Sequence, residues 1–190
     1  MNWKTILVHL DNSRRCDVRT RYALDIARRF DAHVIGLYLV CQDLVHHLFE
    51  PAEPLLRNGY EQQRRTSLDR AREAFERAAE LAGINAEWRA PAGSVLDAAT
   101  LHGRHADVIL LGQDDPDDPD AFVARHFVED VVLGAGRPVL LVPRTGDFAT
   151  IGENVVIAWD DSREGRARSR RCAAHLASCP IRRDHDRRAP

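Results

Sequence analysis

The stretch from Asp107 to Pro143, DVILLGQDDPDDPDAFVARHFVEDVVLGAGRPVLLVP, constrains the fold more than any other part of the chain. Val108 to Leu111 and Val139 to Val142 are continuous apolar runs bounded by Asp, Gly and Pro, the pattern of parallel strands buried on both faces. Between them Phe127, Val128, Val131 and Val132 recur at helical spacing, Gly134 and Gly136 are expected to stop the helix, and Pro138 cannot continue it. This is a βαβ unit with a right-handed crossover. In an open α/β sheet the ligand crevice lies beyond the carboxyl ends of the strands, which places it at Gly112 to Asp120.

The preceding residues extend the same alternation. Thr5 to Leu10 reads as a first strand that ends at Asp11, Asn12 and Ser13, residues suited to a turn and a helix cap. A helix follows with Tyr22, Leu24, Ile26, Ala27 and Phe30 on its apolar side, and Val34 to Val40 is a second, uncharged strand for the sheet centre. Cys41 to Asn58, with Pro51 and Pro54, reads as an irregular connection that includes at most a short helix. Gly59 to Ala82 is the longest helical signal, with Leu68, Ala71, Phe75, Ala78, Ala79 and Ala82 on one side and Gly83 at its end. Asn85 to Ala90 is a third strand. Pro91 and Gly93 lead into a helix from Ser94, with Val95, Leu96, Ala98, Ala99 and Leu101 inward. The order β-α-β-α-β-α-β-α-β calls for an α/β fold, an open five-stranded parallel sheet with helices on both faces.

Charge argues against broad classes of partner. With 27 basic and 29 acidic residues the net charge is -2, so no overall field draws the chain to nucleic acid or membrane. No stretch approaches the roughly 20 apolar residues of a membrane span. The start MNWKTILVHLDNS enters a strand directly, which reads as a cytoplasmic protein. The four cysteines show no disulfide framework and are expected to be reduced. Locally the charge is uneven: Asp114 to Asp120 carries five aspartates, and the residues after Ser162 are crowded with arginine.

An internal repeat accounts for the last part of the chain. Ile6 to Arg14 (ILVHLDNSR) aligns without gaps on Val155 to Arg163 (VVIAWDDSR), so residues 1–146 read as one domain and 147–190 as the start of a second, incomplete copy. From about Ser169 the apolar periodicity is lost and an Arg-rich, solvated tail is expected. Val155 to Trp159, an apolar strand without a finished domain to cover it, must pack on the first domain or on a second chain.

The opening KTILVHLDNS with its helix, the strand DVILLG and the closing GAGRPVLLVP, in this order and spacing, resemble the universal stress protein family, and the repeat resembles its tandem type. The resemblance spans Lys4 to Pro143 and resumes over Asn154 to about Arg168. It implies the adenine nucleotide alpha hydrolase-like fold with strand order 3-2-1-4-5, and a homodimer formed through the last strand, Val139 to Val142. Some members bind ATP through a loop after the fourth strand, patterned as Gly, two residues, Gly, nine residues, then Gly with Ser or Thr, whose open amides meet phosphates at a helix N-terminus. Here only Gly112 of that pattern is present. Asp114 to Asp120 follows it, and about Arg125-His126 takes the place of the final Gly-Ser pair. Pro116 and Pro119 offer no amide protons, and the aspartates would repel phosphates at a cost on the order of 1 kcal/mol per exposed pair. The acidic run lacks the alternation and terminal Glu of an EF-hand loop, so it reads as a solvated loop.

By the same resemblance Asp11 corresponds to the family's acidic residue near adenine and ribose. The candidate nucleotide-site residues are Asp11, Ser13, Gly93, Gly112, Arg125 and His126, although turn and cap roles account for Asp11, Ser13 and Gly93 as well. Cys172, His175, Cys179 and His185 match no established zinc spacing. His46-His47 and His102 with His105 have no fixed third ligand. No nucleophile elbow, phosphate loop of the Lys-Ser/Thr type or His-Glu-x-x-His helix occurs. The expected function is a non-enzymatic, dimeric stress-response interaction module with an unidentified protein partner and without tight ATP binding. The alternative is a nucleotide-binding member with a degenerate phosphate loop that holds ATP or AMP weakly. A hydrolase or transferase on the same fold would need the missing loop.

Overall fold

In a computed structural model the described residues are 3–40, 54–118, 120, 126–152, 155–156 and 181–182. Trp3–Gly146 forms one compact unit, and Asp147–Pro190 belongs to a second together with Met1–Asn2.

The first unit contains β1 (Thr5–Leu10), α1 (Cys16–Phe30), β2 (His33–Tyr38), α2 (Pro54–Ala82), β3 (Ala86–Arg89), α3 (Val95–Gly103), β4 (Val108–Gly112), α4 (Phe127–Ala135) and β5 (Val139–Val142). The five strands form one parallel sheet in the order β3-β2-β1-β4-β5. Leu7 lies opposite Ile35 on one side and Ile109 on the other, and Leu110 opposite Leu140 continues the sheet to its β5 edge.

Alternation along the central strands supplies a core for each face. Leu7, Leu37, Leu39, Ile109 and Leu111 pack with Val95, Ala98 and Ala99 of α3 and with Phe127, Val131 and Ala135 of α4. On the other face Gly36 lets the ring of Phe75 from α2 approach β2 beside Leu10. Phe75 leans on Trp88, with centroids 6.1 Å apart, and Trp88 stacks on Tyr38 at 5.5 Å. Asp107 ties the sheet together at the opposite end, since its carboxylate accepts the amides of Lys4 and Thr5 at 2.7 and 3.0 Å.

Several element ends depart from the sequence reading. Gly134 does not stop α4, which runs through it to Ala135 and is closed by Gly136 alone; a Cβ at position 134 would lie 3.3 Å from Thr100, so the small residue serves the close packing of α3 on α4. Leu101 is 57% exposed rather than inward, because two positions from the buried Ala99 it faces the far side of α3. α2 starts at Pro54, earlier than Gly59, and proline is well tolerated at a first helical position. Ser94 caps α3 as expected, its side chain accepting the amide of Asp97.

In the second unit β6 (Val155–Val156) pairs in parallel with β7 (Ile181–Arg182). β6 lies where the sequence aligns on β1, whereas β7 falls in the stretch read as a solvated tail. Residues 157–159 of the expected strand, and Cys172, His175, Cys179 and His185, lie outside the described residues, as do His46 and His47.

Candidate functional site: a crevice at the carboxyl ends of β1 and β4

β1 and β4 are neighbours whose chains leave the sheet in opposite senses, so their ends bound a crevice at the topological switch point. Its floor is a buried polar network. Arg19, on α1, is 2% exposed. Its Nε donates to the His9 carbonyl and its Nη2 donates to Oδ1 of Asp11 at 2.8 Å. The same Oδ1 accepts from both the amide and the hydroxyl of Ser13. Gly112 completes the arrangement by lacking a side chain, since a Cβ there would collide with Nη1 of Arg19.

Burial by itself would push the Asp11 carboxyl up, but the Arg19 guanidinium and the two Ser13 bonds prevail and hold it below its ordinary value. It is an ionised carboxylate with an internal counter-ion. His9, 3% exposed, meets the carbonyl of Leu39 through Nε2 at 2.9 Å. A carbonyl only accepts, so Nε2 carries the proton and Nδ1 is bare in the neutral ring. Nδ1 stands 3.8 Å from Asp11, and the ring packs on Phe127 with centroids 5.1 Å apart.

Burial, ahead of the opposing pull of Asp11, depresses the His9 pKa below 6.5. The folded state therefore takes up fewer protons than the unfolded chain, and the stability contributed by neutral His9 is present above about pH 6.5 and lost as the pH falls below it. Denaturant unfolding from pH 7 to pH 5 should show this loss, with a slope of at most about 1.4 kcal/mol per pH unit from one proton. His9→Gln, which retains a donor for Leu39, should flatten the profile. A residual slope will come from His102, whose pKa burial and Arg89 also lower. Identical profiles for the two proteins would refute the assignment.

Gln113, Asp114, Asp115 and Asp118, from the described part of the loop after β4, line the crevice. Gln113 and Asp114 are exposed, but Asp118 is buried, so the acidic run is not uniformly solvated. The Asp118 carboxylate accepts the amide of Arg14 at 2.7 Å and that of Asp120 at 3.1 Å. At the rim Arg15 donates to the carbonyls of Pro143 and Gly146, and the Gln113 side chain accepts the amide of Arg144 at 3.2 Å. The space left between His9, Asp11, Arg19, Gly112 and this loop is about 20 Å³.

Of the residues expected at a nucleotide site, Asp11, Ser13 and Gly112 come together here. Gly93 does not. It has a φ of 102° in the turn before α3, and it lines a separate cavity of about 120 Å³ with Tyr38, Leu39, Val40, Arg64 and Leu68. His126 precedes α4 with a left-handed backbone, its side chain 69% exposed and 4.0 Å from Glu129. Arg125 lies outside the described residues. Arg19, His9 and Asp118 were not singled out from the sequence. Arg19 had a signal, since it falls on the apolar stripe of α1 with Tyr22, Ala23, Ile26 and Ala27.

Among the described residues no group of His, Cys, Asp and Glu could hold a metal ion, and no helix is long and apolar enough to cross a membrane. Cys16, the cysteine that lies among them, is a free thiol whose pKa burial raises, which keeps it protonated.

The sheet order and the helices on its two faces define the adenine nucleotide alpha hydrolase-like class of fold. Residues 2–143 match the universal stress protein family, and the chain belongs to it. No curated protein matches. Among solved structures, the universal stress protein UspA from Lactobacillus plantarum is 19% identical with a TM-score of 0.58, over 75% of this chain and 99% of that one. A universal stress protein from Archaeoglobus fulgidus is 15% identical with a TM-score of 0.64, over 97% of this chain and 68% of that one. A family protein from Arabidopsis thaliana with AMP bound is 16% identical with a TM-score of 0.54, over 76% and 94%. At these identities the likeness is one of fold.

Proposed function

We propose that this protein acts as a dimeric, non-enzymatic stress-response interaction module that does not bind ATP tightly. The observation that carries the reading is the filled crevice. A ligand pocket needs roughly 300–1,000 Å³, whereas about 20 Å³ remains here, room for one water. The Asp11 carboxylate, moreover, is engaged by Arg19 and Ser13. Seating a nucleotide would require residues 113–118 to withdraw, since Gln113, Asp114, Asp115 and Asp118 line the little space that remains. AMP is bound in the Arabidopsis relative, and the residues of this chain do not fit that group as they stand.

The dimer reading rests on β5, an edge strand of the sheet whose Leu141 is 45% exposed. A second copy pairing along this edge would cover an otherwise open apolar strand. Sedimentation should give a dimer for the full chain and a monomer for Leu141→Asp; a monomeric parent protein would end this part of the proposal. A cytoplasmic location and a tandem origin for residues 147–190 belong to the same reading.

The second reading, weak binding of ATP or AMP, draws on the neighbouring cavity of about 120 Å³ beside Tyr38 and Gly93. Calorimetric titration of ATP and AMP, with and without magnesium, discriminates the two. No heat at millimolar ligand is expected. Binding that Asp11→Ala abolishes would replace the first reading with the second.

A further inference from the structure

The outer surface of α3 and α4 carries a groove of about 500 Å³ in which Leu101 and Leu133 face each other across the two helices. They are 57% and 83% exposed. Both helices cover the same face of the sheet, and each joins two parallel strands, so they run in the same direction. Gly134 against Thr100 fixes their register. Asp130, one turn before Gly134, therefore lies toward the end of α3 that carries Asp97, and both aspartates line the groove. Arg104 stands at the other end of α3, where Arg137 joins it by donating its Nε to the Arg104 carbonyl at 2.9 Å. The groove has two acids at one end, two bases at the other and exposed leucines between them.

Helix dipoles account for acids at the N-termini and bases at the C-termini. They do not account for the leucines. Among the described residues the side chains of Asp97, Arg104 and Asp130 enter no salt bridge, so the charges at both ends are open to a partner. Arg104 caps α3 with a helical backbone, and Asp97, Thr100, Leu101 and Arg104, spaced i, i+3, i+4 and i+7, form one stripe along it. The middle of the stripe falls between Thr100 and Leu101. A two-fold axis at that point lays a second α3 antiparallel on the first, with Arg104 of each copy opposite Asp97 of the other.

We propose that this face is an isologous contact between copies of this chain, in which the leucines of one copy fill the groove of the other and each acidic end meets a basic end. A two-fold contact demands a self-complementary surface. A foreign partner has no need of that symmetry, and the balance of charge about the leucines is what favours a second copy. The contact goes beyond the β5 dimer, since the two faces used together join dimers into larger assemblies. At nine residues α3 is about 14 Å long, too short to offer the roughly 800 Å² per partner of a stable interface. The contact is therefore weak and forms at high concentration.

Sedimentation equilibrium of the full chain from about 10 µM to about 1 mM reads it. Pairing through β5 sets the mass at the low end, and that mass should double at the high end. Leu141→Asp, which removes β5 pairing, should show the same doubling from monomer to dimer, so a failure of the β5 reading leaves this test intact. Leu133→Glu should abolish the doubling. Arg104→Asp and Asp97→Arg should each raise the dissociation constant at least about five-fold, because the two-fold axis repeats each lost pair. The two changes combined should bring it back near the parent value, since the exchanged charges meet again. All three positions are exposed, and circular dichroism checks that each variant is folded. A parent protein whose mass stays constant up to about 1 mM would overturn the proposal. So would doubling that survives Leu133→Glu, or a combined variant that associates no better than the single ones.

Discussion

Arg19→Met is expected to lower the free energy of unfolding by about 3–5 kcal/mol, the cost of stranding one member of a buried ion pair. The guanidinium is 2% exposed and supplies both the 2.8 Å bond to Asp11 and a bond to the His9 carbonyl. A methionine fills similar space and leaves Asp11 ionised beside no cation. Urea unfolding monitored by circular dichroism measures the effect. Adding Asp11→Asn should recover part of the loss, because the residual buried charge is then gone and the amide can still accept from Ser13. A single-variant loss below about 1 kcal/mol would mean that water reaches the pair and that the crevice is more open than its geometry indicates. The result therefore bears on function as well as stability, since a solvated Asp11 could turn to a ligand.

The second large effect concerns the docking of α2. Gly36→Ala should destabilise by about 1–3 kcal/mol, the usual range for overpacking a filled core. A Cβ at this position would lie 2.6 Å from the Phe75 ring and 2.8 Å from a methyl of Leu10. Leu10 is 2% exposed in the core, so its methyl has little room to move and the ring and its helix must give way. Phe75→Leu combined with Gly36→Ala should cost less than the two changes summed, because they share one contact. Additive losses would show that the strain is relieved elsewhere. Trp88 and Tyr38 stack in continuation of Phe75, so Trp88 fluorescence provides a local readout of the displacement.

Much of the fold was legible because the central strands are continuous apolar runs. β1 and β5 have the limits read from sequence, Thr5–Leu10 and Val139–Val142. The strand order, implied by family resemblance, is that of the sheet. Ends of helices were less legible. Proline at Pro54 is equally at home in a loop and at a helix start, and Gly134 could be read as a stop when it is a packing residue against Thr100. Leu101 is apolar, like its buried neighbours on α3, yet 57% exposed.

The crevice was legible in place but not in state. Gly112 could be assigned to it because ligands in an open parallel sheet sit beyond the strand ends, whereas Asp11 and Ser13 were assigned through the resemblance to the universal stress protein family. That Asp11 is neutralised from within was hidden, although an arginine on the apolar stripe of α1 was a usable sign, since such a group is buried only with a partner. For Asp118 there was no sign at all. Five aspartates in seven residues are chemically equivalent along the chain, and what separates one of them is a partner 104 positions away. Sequence by itself determined the sheet, its two covered faces and the position of the crevice, because these follow from local periodicity and turn chemistry that each segment carries in its own residues. Tertiary structure alone decided that the crevice is filled, because burial and hydrogen bonding of Asp118, Arg19 and His9 depend on distances between segments that only the folded chain brings together.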